Sequence, residues 1–182
     1  MARARAAPLA ERHNLDITWL AYEIHPEVPV EGVEVRMSFE RVEALAEAEG
    51  IRFVTPKRLR NSARAHQAAL AVEHADPEAA ERYHDRLYAA YWEEELDVAD
   101  PEVLVGLAAD VAIDPDVLRR VVANDELLPA LRASMARANE WGISATPSWL
   151  LDGRLVIPGA QDDDFMADVI RRLRERPAPA TG

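Results

Sequence analysis

Three stretches of the chain show distinct hydrophobic patterns. In LDITWLAYEI, Leu15 to Ile24, β-branched and aromatic residues place apolar groups on both parities, the pattern of a strand buried on both faces. In FMADVIRRLRER, Phe165, Met166, Val169, Ile170 and Leu173 fall on one side of a 3.6-residue period, which predicts a helix capped by the preceding aspartates and closed by Pro177. Between them, SWLL and RLVI flank Asp152-Gly153, whose residues both tolerate the positive φ of a type I′ turn, so an antiparallel hairpin is expected.

Punctuation supplies the other elements. Arg3 to Arg12 is rich in helix formers, but Pro8 should break that helix early or sit near its start. HPEVPVEGVEVR reads as a Pro- and Gly-rich loop, followed by a helix capped by Ser38 and ended by Gly50. Asp76-Pro77, Asp100-Pro101 and Asp114-Pro115 each place an N-cap acceptor before a proline at the first helical position, where its missing N–H costs nothing. Asn61-Ser62 can cap a further helix, and a last one is predicted over about 127–140. The order is helix, strand, helical block, hairpin, helix. It implies an α/β fold in which one sheet, from residues 1–60 and 141–176, is interrupted by an all-helical insertion over 61–140; residues 177–182 are expected to be a disordered tail.

Length and charge narrow the function. The chain has 182 residues, room for one good core or one domain with an inserted sub-domain. No apolar run approaches the roughly 20 residues of a membrane span, and the basic start MARARAAPLAERHN has no apolar stretch behind it, so a cytoplasmic protein is expected. A net charge of −12 argues against nucleic acid or an anionic membrane as partner. The one basic cluster, Lys57 to Arg60, reads as a solvated turn. With no cysteine, these residues supply no disulfide, thiolate nucleophile or Cys-liganded metal.

ARANEWGISATP, the hairpin ATPSWLLDGRLVIPGAQ and the terminal helix together resemble the carboxy-terminal half of the DsbA-like thioredoxin family. The resemblance continues in ITWLAYEIHPEVPVEG, NSARAHQAALAVEHA and YAAYWEEELDVADPEVLVGLAADVAIDP, and covers about residues 8–175. Its closest flavour is the cytoplasmic branch of 2-hydroxychromene-2-carboxylate isomerases and kappa-class glutathione transferases. It implies a thioredoxin-like sheet and a cis proline at Pro147, beside which Thr146 would pair through its backbone with an extended substrate. It also implies a first strand and a Cys-x-x-Cys ahead of Leu15, where only 14 residues stand. The expectation is therefore an amino-terminally truncated, redox-inactive member of the thiol–disulfide oxidoreductase class with an incomplete sheet. Unpaired sheet edges should favour self-association.

Each candidate site residue also has a plainer reading. Thr146 and Pro147 are the expected site for an extended peptide, a thiol-bearing protein or a small thiol, or else they shape a core turn. His25 would lie at the carboxyl end of the sheet and could act as acid or base, or be an exposed loop residue. Asn61, Ser62 and His66 open a helix that in the isomerase-like relatives approaches glutathione, and simple capping explains them equally. Trp141, Ser144 and Trp149 read either as lining the same cleft or as packing. Glu81 and His84 have the Glu-x-x-His spacing of carboxylate-bridged metal sites but lack the second motif such sites need, so no metal is expected. Glu93 to Glu95 with Asp97 read as a solvated helix end. Three functions compete: the family oxidoreductase without its dithiol, a redox-dead binding module using the Thr146-Pro147 edge, and a glutathione-dependent isomerase relative. No cofactor is expected other than glutathione in the last case.

Overall fold

The computed structural model describes residues 2–175. It comprises α1 (Ala2–His13), β1 (Val33–Glu34), α2 (Glu40–Ala48), β2 (Arg58–Leu59), α3 (Ala63–Ala75), α4 (Pro77–Trp92), α5 (Pro101–Ala109), α6 (Pro115–Ala123), α7 (Leu128–Glu140), β3 (Ser148–Leu151), β4 (Leu155–Pro158) and α8 (Asp163–Glu175). These divide into two compact units: Met1–Leu20 with Ala138–Gly182, and Ala21–Arg137. The expected tail at 177–182 lies outside the described residues.

The first unit is built on the hairpin. Ser148 faces Pro158, Trp149 faces Ile157, Leu150 faces Val156 and Leu151 faces Leu155. Asp152 and Gly153 both have positive φ, 54° and 60°, as a two-residue turn matched to strand twist requires. Leu9 of α1, Ile157 of β4, and Met166 and Ile170 of α8 form its core, with Leu15, Trp149, Leu151 and Val169 packed around them. Pro8 neither breaks nor starts α1: it sits inside the helix, where it removes one i→i−4 donor. Arg5 donates to the Gln161 carbonyl at 2.8 Å, and Arg12 pairs with Asp163 at 3.2 Å. Asp162 caps α8 by accepting from the Phe165 N–H.

The second unit is helical except for one short ladder. Asp76, Asp100 and Asp114 each have extended backbone and accept from N–H groups of the first turn, and each is followed by proline, as their sequence signals predict. Asn61 Oδ1 accepts from Ala63 N–H at the start of α3. Tyr83, Leu104, Leu118, Val72 and Val122 are fully buried in the core that α3 to α6 share with many alanines, which let the helices approach closely. The buried Tyr83 hydroxyl donates to the Leu104 carbonyl at 3.1 Å.

Two expectations about strands are corrected. Leu15 to Ile24 is not a strand: it makes no ladder, and Trp19, Leu20 and Ile24 are 40%, 51% and 47% exposed. Its composition suits a two-sided strand, but a strand exists only when a neighbour takes its N–H and C=O groups. In place of one interrupted sheet, the described residues form two separate two-stranded sheets, β1 with β2 and β3 with β4. The basic cluster at Lys57 to Arg60 is likewise no free turn. It contributes β2, whose Leu59 and Arg58 pair with Val33 and Glu34, and Arg60 binds Asp97 at 2.7 Å.

Candidate functional site

In the first unit the chain leaves α7, turns through Gly142, and reaches Ser144, Ala145 and Thr146, all exposed. The Thr146–Pro147 peptide bond is cis. Pro147 C=O accepts from Gly159 N–H at 2.7 Å, extending the hairpin ladder by one bond. Ser148 Oγ donates to the Ala145 carbonyl at 2.7 Å and closes the turn on its other side. Among the described residues, the Thr146 N–H and C=O make no backbone hydrogen bond. They are accessible main-chain groups at the head of a strand, able to pair with another extended backbone.

Trp149 lies next along β3, with its ring centroid 6.4 Å from that of Trp19. The Trp19 ring in turn has the Arg3 guanidinium 5.6 Å from its centroid, within cation–π range. The Trp149 indole N–H is buried without an acceptor, one of two such side-chain atoms among the described residues, with His13 Nε2. A buried indole donor costs free energy until a carbonyl reaches it. Trp141 is 40% exposed and sits on the turn that ends α7, where its N–H reaches the Ala138 carbonyl at 3.1 Å.

The remaining candidates belong to the second unit. His25 Nδ1 lies 2.9 Å from Glu27 Oε1 at the surface. The Glu27 carboxyl is held below its usual range by its own backbone N–H and then by the His25 ring. Asn61 is engaged at both ends of its amide: Nδ2 donates to the Val28 carbonyl at 2.6 Å while Oδ1 caps α3. The structure thus ties the His25 turn and Asn61 together through Val28. Ser144, Thr146 and Pro147 are placed in the other unit.

Sequence reasoning passed over Glu23, which is only 7% exposed. Ser62 Oγ donates to its Oε1 at 3.3 Å, and burial raises its carboxyl above the usual range against the lowering effect of that bond. The signal was available: a carboxylate in the otherwise apolar LAYEI. His66, one turn into α3, is pushed down to about 4 by burial and then by the charge of His84, although its hydrogen bond to the Tyr22 backbone acts the other way. Glu81 and His84 gather no further ligands; no group of three or more metal-ligating side chains occurs among the described residues. No helix among them is long and apolar enough to cross a membrane.

The sequence profile of the DSBA-like thioredoxin domain matches residues 2–171. Among solved structures, a protein from Streptomyces coelicolor assigned as a DsbA oxidoreductase is similar at 21% identity and a TM-score of 0.81, over 100% of this chain and 86% of that one. A protein from Nitrosomonas europaea assigned as a protein disulfide isomerase is similar at 17% identity and a TM-score of 0.64, over 80% of each chain. Both likenesses concern the fold. No curated protein sequence matches significantly.

Proposed function

We propose, from the premise that this chain belongs to the DSBA-like thioredoxin domain family, that its 182 residues hold an extended polypeptide at the Thr146–Pro147 turn without exchanging disulfides. The observation that carries this reading is the exposed Thr146, whose main-chain donor and acceptor are unclaimed among the described residues while the adjacent Pro147 carbonyl is taken by Gly159. Exchange requires a thiolate to attack a disulfide sulfur, and no residue of this cysteine-free chain can provide it. What these residues retain of an oxidoreductase family is the surface that holds a substrate, acting by strand addition. The proposed setting is the cytoplasm, where a chain without disulfides needs no oxidising compartment; cell fractionation checks it.

The test is a titration of isotope-labelled protein with a cysteine-free octapeptide of alternating valine and threonine, followed by amide NMR. The Thr146 N–H should shift and its exchange should slow, with no effect of dithiothreitol. Thr146→Pro, which removes that donor, should weaken binding about five- to tenfold, the worth of one hydrogen bond. A Thr146 amide unmoved at millimolar peptide overturns the reading.

A second reading rests on Leu15 to Leu20, a run outside any helix or ladder with Trp19 and Leu20 exposed. It takes a strand, supplied by a segment ahead of Met1 that carries the family's dithiol or by a second copy of the chain. Intact mass of the protein from its own cells, with sedimentation of the 182-residue chain, decides between these sources. A 182-residue protein that stays monomeric at high concentration removes both. A glutathione site at Asn61 gains no support, since both ends of that amide are already occupied.

A further inference from the structure

In the second unit β1 has β2 on one side and, among the described residues, no strand on the other. Val33 pairs with Leu59 and Glu34 with Arg58, and the Val35 N–H extends the ladder by donating to the Lys57 carbonyl at 3.1 Å. Residues of an antiparallel ladder point their N–H and C=O alternately toward and away from the neighbouring strand. Val33 and Val35 therefore face β2, and the main-chain groups of Glu34 and Arg36 face outward. Glu34, Arg36 and Met37 are exposed, as is Val33.

Side chains alternate as well. Glu34 and Arg36 fall on one face of this segment, and Val33, Val35 and Met37 on the other. Neither Glu34 nor Arg36 has an ion pair among the described residues. Arg58, opposite Glu34 in β2, spends its guanidinium on the Glu31 and Gly32 carbonyls, at 3.1 and 2.9 Å. The edge thus offers main-chain donors and acceptors, one unpaired charge of each sign, and a small apolar face.

We propose that this edge pairs with the same edge of a second copy of the chain, antiparallel, about a two-fold axis through Val35. In that register Glu34 stands opposite Arg36 of the second copy, and Arg36 opposite its Glu34. On the other face Val35 meets Val35, and each Val33 meets Met37. The parity fits, because Glu34 and Arg36 are the residues whose N–H and C=O face outward, so each Glu34 and Arg36 pair can exchange two main-chain hydrogen bonds. Slipping by two residues in either direction sets Glu34 opposite Glu34 or Arg36 opposite Arg36, so charge selects this register. VEVRM laid antiparallel on itself is matched in both charge and hydrophobicity, which is the self-complementarity an isologous interface needs. Pairing also joins two two-stranded ribbons, each marginal alone, into one four-stranded sheet with the β1 strands at its centre.

Charge reversal tests the register. Glu34→Arg and Arg36→Glu each place like charges at both pairs of their own dimer, so each should raise the dissociation constant read by sedimentation about tenfold or more. Mixed in equal amounts the two variants restore both opposite-charge pairs, and the mixture should dimerise about as tightly as the unsubstituted chain. The absence of cysteine allows a second check. Val35→Cys sets two thiols across the axis at a non-hydrogen-bonded pair, where Cα atoms about 4.5 Å apart are within reach of a disulfide. Copper phenanthroline should join them about tenfold faster than the thiols of Tyr88→Cys, an exposed position on α4. A chain that is monomeric at every concentration, a mixture that fails to reassemble, or equal cross-linking at positions 35 and 88 overturns the proposal. So does a dimer indifferent to both charge reversals, which would instead point to pairing at Leu15 to Leu20.

Discussion

Gly32 sits at φ 73°, and a Cβ built on it would lie 2.5 Å from the Leu59 carbonyl oxygen. That oxygen is backbone in the β1–β2 ladder and cannot move aside cheaply. Gly32→Ala is therefore expected to cost about 1–3 kcal/mol, read as a lower denaturation midpoint, with the loss of β1–β2 amide protection preceding that of the helices. Glu23 offers a second test at this scale. Its carboxyl is raised in the folded state, so its contribution is whole below the ordinary carboxylate range and is lost as pH rises through the folded value. Glu23→Gln keeps a partner for Ser62 without a charge. It should raise the thermal midpoint at pH 8, with a gain that shrinks toward pH 4, and equal gains at both pH values would contradict the burial argument.

Among the elements, those that sequence anticipates most closely are fixed by local chemistry. Asp76, Asp100 and Asp114 cap helices because a carboxylate two residues ahead reaches N–H groups of the same turn, whatever the rest of the chain does. Replacing any one by alanine should cost about 1 kcal/mol in chemical denaturation. The Asp152-Gly153 hairpin was legible for the same reason. Leu15 to Ile24 was misread because a strand is a relation between segments and its composition names no partner. β1 and β2, two residues each, fall below any pattern that alternation can reveal. Of the candidate site, Thr146 and Pro147 were legible as a proline at the head of a strand, whereas Glu23 depends on burial that no short stretch of sequence states.

At the scale of the whole chain, charge is unevenly shared. Met1–Leu20 with Ala138–Gly182 contains eight arginines against nine acidic residues, so Ala21–Arg137 carries nearly all of the net −12. Most of that acidity is solvent-exposed, where like charges repel and dissolved ions screen them. Raising sodium chloride from about 20 mM to 500 mM should therefore raise the thermal midpoint by about 2–5 °C, with the gain in helical signal rather than in tryptophan fluorescence from Trp19 and Trp149. A fall in midpoint would mean that the surface pairs, such as Arg86 with Glu94 and Asp110, outweigh the repulsion.

The three Asp-Pro helix starts carry a consequence of a different kind. An aspartyl–prolyl bond is the peptide bond most readily broken by warm dilute acid, because the carboxyl attacks its own carbonyl and the basic proline nitrogen leaves easily. The same junctions that begin α4, α5 and α6 are thus the chain's chemical fault lines. Acid hydrolysis should divide the polypeptide into 1–76, 77–100, 101–114 and 115–182, cutting the helical block at the seams between its helices and leaving the Thr146–Pro147 hairpin whole.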